Sequence, residues 1–321
     1  MLKKIVNHAS IELRIIPLDP LLIKSGQATI SGVNLAFVRT SRSGGQDQPY
    51  IPGSSLKGVI RSYAEKICRS LRDHPVPVCL PYLKPGQEQA GEEDQASCGL
   101  RFEKYKKDRK IQTIHPQDVY RLSCPVCRLF GSHSFVGRFA ASDAYLIGDS
   151  TLEIRDGVAI DRLTGGTAGG AKYDLEVLTR GEFKTTVEIR NFERWQLGLI
   201  ALVLRDLEQG LVRLGSGKSR GLGKSKADIT RFQVTYYNQP RPVLTGLAGL
   251  CSEAECESYG YFQESSNHAP ALPEPQINGL RREYDLTDTW KDAVAPAVDD
   301  LVAYVSQVEW PRGLENYTRR R

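Results

Sequence analysis

The sequence contains no run of 18 or more apolar residues, so no segment has the length needed to cross a bilayer as a helix. Its start, MLKKIVNHASIELRIIP, offers only a short apolar stretch and no small-residue cleavage site. Together these absences set the expectation of a soluble, cytoplasmic protein with no membrane partner. Histidine is scarce, and no motif places any of His8, His74, His115, His133 or His268, which argues against chemistry built on a histidine acid and base. Net charge is also small, at +5, because an acidic segment at Glu92, Glu93 and Asp94 and an acidic region near the end offset basic stretches elsewhere. Any affinity for a polyanion therefore has to come from local clusters.

What is present is enough to build a core: 321 residues, 40% of them hydrophobic, can form one large domain or two modest ones. Between Arg101 and Arg138 the bases Lys104, Lys106, Lys107, Arg109, Lys110, Arg121 and Arg128 outnumber the acids, which suits either a solvated face or a polyanion held through counterion release. The seven cysteines, without a secretion signal, read as reduced thiols used as metal ligands or core residues. Cys68 sits in an amphipathic stretch and reads as a small buried hydrophobe, whereas Cys251 and Cys256 form no complete site.

Hydrophobic periodicity predicts a strand at Ile11 to Pro17, followed by a long Gly, Ser and Gln-rich loop from Gly26 to Tyr50. Leu56, Val59, Ile60, Tyr63, Ala64, Ile67 and Leu71 then recur at helical spacing, with Ser54 or Ser55 available as N-cap. Residues 72–137 form an insertion whose Gly, Glu and Gln-rich part reads as a loop. Strands are expected at Arg138 to Ile147 and Thr151 to Arg155, and Lys172 to Val177 should pair with Lys184 to Ile189 as the arms of a hairpin. The stretch TGGTAGG, Thr164 to Gly170, is too glycine-rich for a regular element. A deeply packed helix follows from Glu193 to Gln209, ended by Gly210, and a last strand from Ala227 to Tyr237. This order predicts an α+β fold, a ferredoxin-like (RRM-like) antiparallel sheet with helices on one face.

Three segments carry chemistry. In PGSSLKGVIRS the hydroxyls of Ser54 and Ser55 and the first helical N–H groups can face an anion, with Lys57 and Arg61 four residues apart on one side. In LGSGKSRGLGK, Gly215, Gly217, Gly221 and Gly223 permit close backbone approach, and Lys218, Ser219, Arg220 and Lys224 supply charge and hydroxyl. A Walker loop is excluded there, since the segment leads into a strand rather than a helix. Both segments also suit simple capping or a solvated turn. Cys124 and Cys127 form C-x-x-C, and Cys79 and Cys98 precede them in the same insertion, so four thiolates could close a tetrahedral zinc site. His74, His115 or His133 could replace Cys79 or Cys98, and buried free thiols are the alternative.

The occurrence in order of IPGSSLKGVIRSYAE, CPVCRLFGS, GRFAASDAYL and LGSGKSRGLGKSKA resembles the RAMP superfamily, specifically the backbone subunits of CRISPR type III effector complexes, over about residues 9 to 237. The resemblance implies guide-RNA contacts at Ser54, Ser55, Lys57 and Arg61 and along the loop Gly215, Gly217, Lys218, Ser219, Arg220 and Gly221. It implies a zinc-bound insertion, a thumb hairpin over 157–192 pressing on the guide–target duplex, and a RAMP domain of residues 1–239 followed by a C-terminal extension, 240–321. As partners it implies target RNA, related RAMP subunits and a large signalling or scaffold subunit.

Target-cutting members of that family place an aspartate in the loop after the first strand. The matching stretch here, ATISGVNLAFVRT, has Asn34 at that position. An amide is a poor Mg²⁺ ligand and no general base, so the expectation is a scaffold that does not cut. Asp47, further along the same loop, is the alternative acid for a Mg²⁺-dependent endoribonuclease.

Overall fold

In the strand Asn7–Pro17 the side chains of Ala9, Ile11, Leu13 and Ile15 are fully buried, while His8, Ser10, Glu12 and Arg14 keep solvent contact. That alternation makes the strand the centre of a sheet with one packed and one polar face. The structure is a computed structural model describing residues 3–25, 35–41, 45, 47–89, 95–265 and 269–310. Its strands are β1 (Asn7–Pro17), β2 (Arg39–Thr40), β3 (Gln48–Ile51), β4 (Gly131–Ser132), β5 (Phe135–Val136), β6 (Phe139–Ala141), β7 (Ala144–Ile160), β8 (Thr167–Arg190), β9 (Ser225–Tyr237), β10 (Gln276–Asn278) and β11 (Arg281–Asp285). The α-helices are α1 (Gly53–Leu71), α2 (Cys98–Asp108), α3 (Pro116–Arg121), α4 (Pro125–Phe130), α5 (Arg194–Glu208), α6 (Glu253–Tyr259), α7 (Trp290–Ala293) and α8 (Ala295–Gln307).

The main sheet runs β10-β11-β9-β1-β8-β7-β3-β2, with β6 also on β8, and its ladders are antiparallel. Helix α1 connects the β1 side of the chain to β7, and α5 connects β8 to β9, so each carries the chain past one intervening strand. The expected α+β arrangement of a large antiparallel sheet and helices is present. Helix α5 is apolar on most sides because it is enclosed between the sheet and α8; Trp195 stacks on Tyr304 at a ring distance of 4.1 Å. The polar face carries cross-strand ion pairs, among them Arg14 with Asp228 and Lys184 with Glu12.

Several elements differ from expectation. Lys172–Val177 and Lys184–Ile189 are not two arms of one hairpin: both lie in β8, and the partner arm is β7, with Lys172 opposite Val158 and Lys184 opposite Tyr145. The intervening residues, which include Gly181, form no turn, and the ladder passes them through register shifts between Ile147 and Leu152 of the opposite strand. The turn falls instead at 161–166, where the Asp161 carboxylate accepts the amides of Leu163 and Thr164. Thr167–Gly170, read as irregular, begins β8, with Thr167 opposite Ile160 and a register shift before Lys172 meets Val158.

Helix α1 starts at Gly53, with Pro52 at the cap position and no side-chain cap, so neither Ser54 nor Ser55 is the N-cap. Part of the expected loop from Gly26 to Tyr50 forms β2 and β3. The acidic Glu92, Glu93 and Asp94, like Asn34 and His268, lie outside the described residues. The segment beyond residue 240 packs on its own domain. It adds β11 beside β9 and sets α8 against α5, with Trp290 and Trp310 buried. No helix among the described residues is long and apolar enough to cross a membrane.

Candidate functional site

Two sites lie close to α1. The first is the insertion between α1 and β6, where Cys79, Cys98, Cys124 and Cys127 converge with their sulfurs all within 4.8 Å of one another, every one of them buried. The separation of Cys79 from Cys98 by a long loop made this pairing ambiguous in sequence. Folding removes the ambiguity, since α2 begins at Cys98 and the Cys124 amide donates to its sulfur at 3.3 Å. None of the three histidines considered as substitutes joins this group. His115 stands at the N-cap position of α3 without a side-chain cap, and exposed His133 faces Glu103.

The Cys79 sulfur stands 3.6 Å from that of Cys127 and 3.7 Å from that of Cys124. A tetrahedron of thiolates with metal–sulfur bonds of about 2.3 Å has edges of about 3.8 Å, whereas a disulfide requires about 2.05 Å. The donor set and its spacing thus fit a metal ion. Backbone amides steady the sulfurs: the Cys127 amide donates to Cys124 at 3.4 Å in the first turn of α4. Burial pushes the Cys98 thiol well up. At Cys124 burial also disfavours the thiolate, but hydrogen bonds from Cys127, Cys79 and Cys98 outweigh it and hold this thiol well below its ordinary value.

Arg61, expected to face a phosphate backbone, is turned toward this cluster. Its guanidinium donates to the Cys127 sulfur at 3.4 Å, to the Gly131 carbonyl at 3.1 Å and to Glu65 at 3.2 Å. Lys57 donates to the Phe139 carbonyl at 3.0 Å, and burial followed by the charge of Arg61 pushes its pKa down. Ser54 is exposed and Ser55 half-buried on the first turn of α1. The Gly53 amide donates to the Asp143 carboxylate at 2.7 Å, so the protein supplies one anion to this helix start itself. Asp143 lies in the GRFAASDAYL motif but 90 residues from its helix, a pairing that no local pattern reveals.

The second site is the loop between α5 and β9. Gly215, Gly217, Gly221 and Gly223 all have positive φ, between 70° and 82°, and Lys218–Arg220 form a single 3-10 turn between two of them. A side chain at Gly215 would meet the Leu22 carbonyl at 2.2 Å, so this glycine packs the loop onto the 20–23 segment, and one at Gly223 would meet the Leu214 carbonyl at 2.0 Å, so that glycine closes the loop on itself. Gly221 is different: nothing lies within 4 Å of where its Cβ would be. The loop is pinned by Ser216 N to the Leu22 carbonyl and Gly223 N to the Pro20 carbonyl. On this frame Lys218, Ser219 and Arg220 are exposed. Partial burial and the nearby ammonium of Lys66 on α1 push the Lys218 pKa down, which puts two like charges on adjoining surfaces of loop and helix. Arg220 reaches the β7–β8 hairpin, donating to the Tyr173 hydroxyl, and its guanidinium stands 5.9 Å from the Tyr173 ring centre.

Exposed Asp47 lies just before β3; its carboxylate accepts from Ser41, and Arg39 lies within its field. The basic stretch on α2 and the turn after it presents Lys104, Lys107, Arg109 and Lys110 to solvent.

The CRISPR system Cms endoribonuclease Csm3 of Methanocaldococcus jannaschii is 28% identical over 211 residues, covering 58% of this chain and 69% of that protein. A family model described as the RAMP superfamily matches residues 15–226, which run from the end of β1 through the insertion and the hairpin to the glycine-rich loop. Since that match takes in both sites and well over half of the sequence, the chain belongs to the RAMP superfamily.

Proposed function

We propose that this protein is a guide-RNA-binding backbone subunit of a CRISPR type III interference complex in antiviral defence. In this reading it packs with related RAMP subunits and a large signalling or scaffold subunit along the guide, presents target RNA and does not itself cut, all in the cytoplasm. The observation that carries the reading is the loop of residues 213–224, a frame of four left-handed glycines that leaves Lys218, Ser219 and Arg220 exposed beside Lys66. Cations with no ion pair among the described residues, on a fixed backbone, suit a run of phosphates, which positions a strand without reading its bases. The strand order β9-β1-β8-β7 with crossovers α1 and α5 supports a ferredoxin-like core. The β7–β8 hairpin, whose outer part has no third strand beside it among the described residues, supports a thumb.

Within this reading the four cysteines hold zinc, for which an all-thiolate set is suited. Bound there, zinc would supply a structural cross-link between α2, α4 and the segment at Cys79. The chain's own contribution is to orient the sulfurs through the Cys124 and Cys127 amides and to offset their charge with Arg61. The RNA contacts of α1 then fall to Ser54, Ser55 and Lys66 more than to Arg61.

The test is salt-titrated RNA binding. Replacing Lys218 and Arg220 together with Ala should weaken binding about tenfold and reduce the salt slope by about 1.4, as expected for two lost contacts to a single strand. Wild-type affinity at every salt concentration in the double variant would overturn the reading. The relative's name, an endoribonuclease, favours a second reading in which the subunit cuts target RNA with Mg²⁺ through Asp47. Cleavage by assembled complex separates the two. In the scaffold reading wild type leaves target intact and Asn34→Asp creates a cut; in the second, wild type cuts and Asp47→Ala abolishes it.

A further inference from the structure

The insertion carries a group of exposed cations that neither the cysteine cluster nor the glycine-rich loop uses. Residues 80–89 and 98–110 hold seven lysines and arginines against three acids. Lys84, Lys104 and Lys107 are exposed and have no ion pair among the described residues, and Lys104 and Lys107 stand three apart on one side of α2. Of the acids, Glu88 accepts the Gly86 amide at 2.6 Å, Glu103 faces His133, and Asp108 is exposed. The local balance is therefore positive on a chain whose net charge is only +5.

Two consecutive turns shape this surface. The Leu83 amide donates to the Leu80 carbonyl at 3.1 Å, which turns Leu83 into the core and leaves Tyr82, at the corner, 75% exposed. The Gln87 amide donates to the Lys84 carbonyl at 3.1 Å, with Pro85 and Gly86 at the central positions and Gly86 at φ 86°, as a type II turn requires. This second turn lies against α2, since a side chain at Gly86 would stand 4.0 Å from the Lys104 ammonium. Both segments are anchored. The Leu80 amide donates to the Gln95 carbonyl at 2.8 Å and the Ser97 amide to the Leu83 carbonyl at 2.9 Å, while Cys79 of the cluster immediately precedes the first turn and Cys98 opens α2. A lone exposed tyrosine would mean little. An exposed ring two residues from Lys84, on a frame fixed beside the cations of α2, is the combination on which a single nucleic-acid strand stacks its bases and rests its phosphates.

Helix α1 joins this surface to the glycine-rich loop. Lys66 on that helix adjoins Lys218, and one turn further along Arg69 donates to the carbonyl of Cys79, three residues before Tyr82, at 3.3 Å. We propose that this face of the insertion is a second binding surface for single-stranded RNA, with a base stacked on Tyr82 and phosphates at Lys84, Lys104 and Lys107, and that it takes up the strand beyond the glycine-rich loop. The inference rests on the RNA-binding reading above and extends the footprint from one loop to two surfaces.

The test titrates the whole chain with oligouridylates of about 5 and about 15 nucleotides, the range a single-strand site spans, over a series of salt concentrations. The longer strand should bind more tightly than the shorter. Tyr82→Ala should weaken the longer strand about tenfold, leave its salt slope unchanged and spare the shorter one, and Tyr82→Phe, which keeps the ring, should bind as wild type. Lys84→Ala with Lys104→Ala should lower the salt slope of the longer strand by about 1.4 and again spare the shorter. All these side chains are exposed, so the variants should fold as wild type does. Lys218→Ala with Arg220→Ala separates the two readings, since it should weaken both lengths. If it has no effect while the insertion variants remove the length gain, the loop reading fails and this surface stands. A wild type without a length gain, or a gain that survives in both insertion variants, would overturn the proposal. So would displacement of the longer strand by oligoglutamate together with undiminished binding in Tyr82→Ala, the outcome expected of a docking face for an acidic protein.

Discussion

The cysteine cluster and the glycine-rich loop both gather polar groups beside α1, but in opposite directions. In the cluster four sulfurs face inward, are buried, and receive donors from two amides and Arg61. In the loop the backbone is spent on internal contacts, through Ser216 and Gly223, while Lys218, Ser219 and Arg220 point out. Closure is what a structural centre needs; an open row of cations over a fixed frame is what an extended anionic ligand needs. Residue type alone does not reveal this distinction, because Arg61 and Arg220 are the same residue and serve the two sites in different ways.

The sharpest way to break the contrast is to open the closed site. Cys124→Ser, or removal of metal by a strong chelator, should destabilise the insertion by several kcal/mol, since metal binding to such sites is coupled to folding. Metal content near one per chain in wild type and loss of hydrogen-exchange protection across α2 to α4 in the variant are the expected readings. Unchanged protection would show that the thiols are ordinary core residues.

Next in size are the glycines. Gly223→Ala forces a methyl to within 2.0 Å of the Leu214 carbonyl at φ +82°, and should cost more than 2 kcal/mol in thermal or denaturant unfolding. Gly221→Ala meets open space and should cost only about 1 kcal/mol from its left-handed backbone. If Gly221 is where a ligand backbone approaches, the same change should lower RNA affinity, whereas equal stability losses at both positions would contradict the division between frame and face.

Arg61→Ala gives the smallest effect and the finest discrimination. It should weaken metal affinity about tenfold to a hundredfold, as loss of a group supporting a metal ligand does. The salt slope of RNA binding should stay as in wild type. A reduced slope with unchanged metal affinity would return Arg61 to the nucleic-acid side.

Much of this was legible in the sequence. The alternation in β1, the helical stripe of α1 and the apolar run of α5 follow from burial on one face or several; α1 and α5 were found at nearly their observed bounds, whereas β1 begins at Asn7 rather than Ile11. The four cysteines were legible as a set because thiols have few other uses in a small insertion. What escaped was non-local. The direction of Arg61 depends on where α4 packs, and the bond from the Gly53 amide at the start of α1 to Asp143 depends on the link between β6 and β7, 90 residues on. The hairpin was misread because β8 is far longer than an ordinary strand and continues through a segment where a turn seemed natural.

That long hairpin also has a mechanical side. Phe183–Arg190 of β8 is fixed between neighbours in the sheet, with Phe183 opposite Ile15 and Arg190 opposite His8. Farther out, Leu178 bridges Leu21 and Leu175 bridges Leu35, and the last side support among the described residues is Arg220 against Tyr173. Among the described residues the hairpin is therefore a propped cantilever: clamped in the sheet, rested on the loop, and free over its final turn. The deflection of such a beam under a given load rises steeply with its unsupported length. Taking away the prop at Arg220 lengthens the free span, so a single side-chain contact made by the loop governs how far the tip can swing.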